Sequence, residues 1–154
     1  MKHWLMKTEP TTFGVDDLAR APKRTTMWDG VRNYQARNML RDEFARGDRA
    51  LLYHSSCDVP GVVATMRVVR AGYADPTAFD RRHRHYDEGS DAANPRWYAV
   101  DVQLERRLRR VITLTELRAH ATRELSQLPL LERGSRLSVM PVSEAHFDFI
   151  LTLE

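Results

Sequence analysis

The sequence lacks several things, and each shortage removes a class of protein. Cys57 is the one cysteine, so neither an internal disulfide nor a Cys-x-x-Cys metal or redox motif can exist. A reducing compartment such as the cytoplasm suits that composition. No apolar run approaches the roughly 20 residues that a membrane-spanning helix needs. The opening stretch, MKHWLMKTEP, is broken by Lys7 and Glu9 too early to serve as a secretory signal. A soluble chain without a membrane partner is therefore expected. No Pro/Gly/Ser linker and no internal repeat divides the 154 residues, so residues 1–154 read as one domain. Lysine is scarce as well. Only Lys2, Lys7 and Lys23 occur, and arginine supplies the other positive charges. Coding bias explains such a skew, and so does phosphate contact through guanidinium forks. The formal net charge of +3 does not choose between them.

What is present is ordinary globular material: 42% hydrophobic and 29% charged residues. A chain of this size buries about two-thirds of its unfolded surface, so it needs no staple. Residues 3–8 read as a short edge strand, and Gly14 to Leu18 as a helix start with acidic residues in its first turn. Ala36, Met39, Leu40 and Phe44 recur at helical spacing and predict a helix over 34–46, closed by Gly47. Strands are expected at 49–55, 62–70 and 97–105, the last with Tyr98, Val100, Val102 and Leu104 on one face. Residues 71–95 read as a long loop, and Arg106 to Arg110 as a solvated turn at a strand end. Thr113 to Glu116 is a capping box, and Ser143 caps a final helix. Leu128–Leu131 and Arg136–Val142 read as two further strands. The strands are not separated by regular helices, which disfavours a parallel βαβ sheet. The expected class is α+β, a mixed β-barrel of five to six strands with peripheral helices.

Four segments place polar and aromatic groups together: Lys7-Thr8-Glu9-Pro10, Trp28 to Tyr34, Tyr53 to Ser56, and Gly134 to Pro141. Each has a plain structural explanation. Asn33, for instance, stands where a helix N-cap belongs. Together they fit a pocket for a nucleobase, which needs a stacking wall, a few fixed hydrogen-bond partners and nearby positive charge. Trp28, Tyr86 or Trp97 supplies the wall. Asn33 and backbone groups near Ser55 and Ser138 read the base edge, with Val31, His54 and Leu137 beside them. Arg32, Lys7 and Arg136 line the phosphate path, and Thr8, Arg81, Arg82 and Arg84 extend that rim.

The segments WLMKTEP (4–10), WDGVRNYQARNML (28–40), YHSS (53–56), PGVV (60–63), DPTAFD (75–80), NPRW (94–97) and GSRLSVMPVS (134–143) resemble the EVE domain family along nearly the whole chain and in order. Thr8 replaces the family's usual Ser, and His85 stands where Tyr is common. The resemblance implies a PUA-like fold, related to the YTH and ASCH domains. It implies a reader of modified bases, modified cytosine in DNA above all, with a pocket around Trp28, Arg32, Asn33, Ser55 and Ser138. The expected partner is nucleic acid or a modified nucleotide, with no cofactor and a monomeric state.

Two other signals carry less. His83-x-His85 offers a metal two ligands with no supporting Cys or carboxylate pattern, so no metal site is expected. Lys7, Thr8 and Glu9 match the working residues of ASCH-type amidohydrolases on acylated cytidine. Neighbouring residues of a straight strand point to opposite faces, however, so the three cannot share a pocket unless the strand bends.

Overall fold

The computed structural model describes residues 1–154. The chain forms β1 (His3–Thr8), α1 (Val15–Arg20), β2 (Thr25–Trp28), α2 (Tyr34–Asp42), β3 (Arg49–His54), β4 (Gly61–Ala74), β5 (Tyr98–Thr113), α3 (Leu114–Ala119), β6 (Val139–Val142) and α4 (Glu144–Thr152). The six strands make one sheet in the order β2-β5-β4-β3-β1-β6. Only β1 and β3 pair in parallel; every other pairing is antiparallel. The α+β class and mixed sheet are as expected, but the sheet does not close. Its free edges are β2 and β6. The end of β2 and the residue just before β6 nevertheless line one cleft, so the curled sheet brings its two edges to face each other.

Alternation along the strands feeds two cores. Trp4, Met6, Ala50 and Leu52 enter one cluster with α1 and α2. Leu5, Leu51 and Tyr53 point the other way, into a cluster with α3 and α4. A strand buried on both faces belongs inside a sheet, and β1 is internal rather than an edge strand. Each large apolar side chain fully buried in these clusters contributes roughly 1.5–3 kcal/mol.

Several boundaries differ from the pattern-based expectation. The α2 helix ends at Asp42, because the chain turns out to stack Phe44 on Trp4, with ring centroids 4.1 Å apart. Gly47, at φ +95°, serves the turn into β3 rather than the helix end. Register pairing carries β4 to Ala74 and β5 from Tyr98 to Thr113. The expected loop is thus shortened, and Arg106 to Arg110 lie within a strand. Four register shifts break the alternation that would have shown this. Leu128 to Leu131 is not a strand. Pro129 opens a 3-10 turn that drops Leu128 and Leu130 into the second core. No helix is long and apolar enough to cross a membrane.

Candidate functional site

A cleft of about 600 Å³ opens at the seam between the two sheet edges. Its first wall is the stretch after β1. There the Thr8 hydroxyl donates to the Phe13 carbonyl at 2.7 Å, and Thr12 and Phe13 N–H groups both donate to the Glu9 carbonyl. That tight turn carries Glu9, Thr12 and Phe13 to the cleft beside Lys7 and Thr8. The second wall runs from Thr26 through Arg32 and includes Trp28, which is 8% exposed. Arg84 and His85 close the third side, and Ser138 contributes from beside β6. The Ser138 carbonyl also accepts the Lys7 N–H at 2.8 Å, which ties the first wall to the β6 edge.

One buried carboxylate fixes the mouth. Asp75 accepts from the Gly30 N–H at 2.9 Å and from the Arg32 guanidinium at 3.0 Å. It also accepts from both the N–H and the hydroxyl of Thr77. Burial pushes the Asp75 carboxyl up, but the bonds from Thr77, Gly30 and Arg32 outweigh it and hold the carboxyl below its ordinary value. Arg32 in turn donates to the His85 carbonyl at 2.7 Å. Gly30 has φ +76°, and a Cβ there would lie 2.3 Å from the His85 ring. Only glycine allows the two loops to meet this closely.

The structure therefore brings together Trp28, Val31, Arg32 and Ser138 of the expected base pocket, and Lys7, Thr8 and Arg84 of the expected rim. It also places Glu9 there, so Lys7, Thr8 and Glu9 do share a cleft, because β1 ends at Thr8 and Glu9 belongs to the turn. The Thr8 hydroxyl is spent on Phe13. Burial lowers the Lys7 pKa, and its ammonium lies 5.8 Å from the Tyr53 ring centre.

The other expected residues lie outside the cleft. Asn33 caps α2, accepting the Ala36 N–H at 3.0 Å. His54 accepts the Val15 N–H at 3.1 Å and anchors α1, and burial lowers its pKa. Ser55 donates its N–H to the Thr8 carbonyl, joining β3 to β1. Trp97 stacks on Tyr34 and donates to Asp87 at 2.6 Å, so it braces the loop. Tyr86 and Arg81 border a separate shallow depression. Leu137 packs between the two cores, and Arg82 and Arg136 are exposed. Sequence reasoning missed Thr12, Phe13, Thr26, Met27 and Asp29 as lining residues. Asp29 lay within the Trp28 segment, and its neighbours Thr26 and Met27 went unseen because the four-residue β2 has no readable alternation.

Fold and site together define a small open-sheet domain of the PUA-like class, with one polar–aromatic cleft at its seam. The chain belongs to the EVE domain family, whose model matches residues 2–153. It is 43% identical to human thymocyte nuclear protein 1 over 99% of this chain and 73% of that protein. A crystal structure of the human THYN1 protein in complex with DNA containing 5-methylcytosine superposes with a TM-score of 0.94 at 42% identity, covering 99% of this chain and 97% of the other. A Pseudomonas putida protein superposes at 0.92 with 44% identity and 98% coverage of both chains. An ASCH protein from Zymomonas mobilis, at 13% identity and TM-score 0.60 over 99% of both chains, shares the fold alone.

Proposed function

We propose that this chain is a nucleic-acid-binding module that holds a modified cytosine, presented by DNA, in the seam cleft. The observation that carries this reading is the cleft itself. It has the volume of a small-molecule pocket, with Trp28 and Phe13 among its lining and polar side chains between them. A relative of nearly superposable fold was crystallised with methylcytosine DNA, which supports the choice of base and carrier. Trp28 provides the stacking wall, Ser138 and Glu9 face the base edge, and Lys7 and Arg84 meet the backbone. Arg32 acts by holding the mouth rather than by touching phosphate, since its guanidinium is already bound. The domain works as a monomer in a reducing compartment such as the cytoplasm.

Fluorescence anisotropy with labelled oligonucleotides tests this. One modified cytosine should raise affinity over plain cytosine, and a DNA strand should bind better than the matching RNA. Trp28→Ala should remove the preference, because stacking a base contributes roughly 1–3 kcal/mol. Equal binding of all oligonucleotides, modified or not, would overturn the proposal.

A second reading rests on the convergence of Lys7, Thr8 and Glu9: hydrolysis of a modified nucleoside, with Lys7 as a base of lowered pKa. The bond from Thr8 to Phe13 occupies the hydroxyl that such chemistry would use. Chromatography of modified nucleosides incubated with the protein separates the two. Turnover lost in Lys7→Ala favours the enzyme, and intact nucleoside favours the binding module.

A further inference from the structure

In sequence His83 and His85 lack a third ligand; the fold supplies one. Asp29, which follows β2, brings an Oδ2 oxygen to 3.4 Å from His85 Nδ1 and 3.7 Å from His83 Nε2. One donor atom from each of the three residues lies within 4.8 Å of the others. We propose that Asp29, His83 and His85 form a binding site for a divalent transition metal ion of the zinc class, at the mouth of the seam cleft.

The donor set selects the ion. Two imidazoles and one carboxylate suit zinc, nickel or copper, whereas magnesium and calcium want an all-oxygen shell. Ligand atoms about 2.0–2.1 Å from a tetrahedral zinc stand roughly 3.3–3.4 Å apart. The Asp29–His85 separation already matches that edge, and the Asp29–His83 separation needs to shorten by a few tenths of an ångström.

The surroundings hold the ligands in place. Gly30 packs against the His85 ring, and Arg32, clamped by buried Asp75, holds the His85 carbonyl. The His83 backbone is turned by its N–H bond to the Asp80 carbonyl. All three side chains are partly buried, with exposures of 26%, 33% and 23% for Asp29, His83 and His85.

Two features oppose the ion. Arg84 lines the same cleft and adds positive charge nearby. In addition, His83 Nδ1 accepts the His85 N–H at 3.0 Å. Ligation through Nε2 moves the His83 proton to Nδ1, and the His85 N–H must then leave. Breaking that bond and leaving the His85 N–H without its acceptor lowers affinity by roughly fivefold to a hundredfold, which the three ligands must outweigh. Three protein ligands leave one tetrahedral position for water or for a donor atom of a molecule in the cleft. The site does not depend on the base-binding reading, since metal can be measured without nucleic acid.

The test uses the untagged full chain, freed of metal with a chelator. Cobalt(II) is titrated while visible absorption is followed, and zinc(II) is titrated by calorimetry. The expected result is one ion per chain, with intense tetrahedral cobalt bands that zinc abolishes. Asp29→Asn, His83→Asn and His85→Asn should each weaken binding about tenfold or more. His120→Asn, at the exposed pair with Glu124, should leave it unchanged. Circular dichroism checks that each variant is folded. Should His85→Asn unfold, His83→Asn decides the matter, because the His83 ring takes part in less of the loop packing. Absence of stoichiometric binding at millimolar metal overturns the proposal, as does equal binding by the wild type and a folded His83→Asn.

Discussion

Asp75 is not among the residues that line the cleft, yet it fixes the mouth through Gly30 and Arg32. Its side chain is fully buried and it ties Gly30, Arg32 and Thr77 together. Asp75→Ala leaves Arg32 without its partner. Removing one member of a buried ion pair costs about 3–5 kcal/mol; here about 2–4 kcal/mol is expected, because Arg32 keeps 24% exposure. Urea unfolding measures it. The same carboxylate gives a pH dependence. Its folded pKa is depressed, so its contribution is fully present above the ordinary carboxylate pKa near 4 and is lost as pH falls through the folded value. Asp75→Asn should flatten the decline in stability between about pH 5 and pH 2 relative to wild type, which urea midpoints across that range would show. Gly30→Ala tests the other half of the mouth. A side chain at φ +76° costs roughly 1–2 kcal/mol before the clash with His85 is counted. The substitution should lower the melting temperature and displace His85, seen as a change in its imidazole NMR signals.

At the scale of elements, local signals were legible and pairing was not. Thr113 and Glu116 alone predict the start of α3, and both reciprocal bonds of the capping box are present. Thr113→Ala should therefore cost about 1 kcal/mol, measured by denaturant unfolding. Ser143 at the start of α4 was equally visible, because a cap depends only on residues a few places away. The strands β2 and the second half of β5 depend instead on partners far along the chain. Arg106, Arg107, Arg109 and Arg110 look like a solvated turn until pairing with β4, Thr65 to Arg106 and Ala64 to Arg107, places them on a strand; Arg106, Arg107 and Arg110 then find carboxylates in Glu154, Asp16 and Glu116. The candidate site divides the same way. Lys7, Trp28, Arg32 and Ser138 were legible because their segments combine residue types that a plain core would not. Trp97 and Tyr86 share those types, yet their neighbours turn them elsewhere: Trp97 has Tyr34 and Asp87, and Tyr86 borders another depression. An aromatic residue announces its chemistry in the sequence, but which surface it serves is settled by packing.

Over the whole molecule the question left by composition was whether the arginines serve phosphate or stability. Many are neutralised within the fold. Arg32, Arg49, Arg67, Arg96, Arg106, Arg107 and Arg110 all pair with carboxylates. Arg81, Arg82, Arg84 and Arg136 make no ion pair and are exposed, and Arg84 lines the cleft. A net charge of +3 spread evenly would give weak, diffuse attraction to DNA. An unpaired Arg84 in the cleft lining, with Arg81 and Arg82 exposed on the same loop, gives directed attraction instead. Each phosphate neutralised releases counterions and adds about 0.9 to the slope of log affinity against log salt. If the base-binding reading holds, the combined change Arg81→Ala, Arg82→Ala and Arg84→Ala should reduce that slope by about 2 to 3 and weaken all duplexes to a similar extent. The preference for a modified cytosine should survive, because base identity is read inside the cleft rather than along the backbone. Anisotropy titrations from low to moderate salt measure both quantities at once. A triple variant with an unchanged slope would instead assign these arginines to solubility and the phosphate path to Lys7 and Arg136.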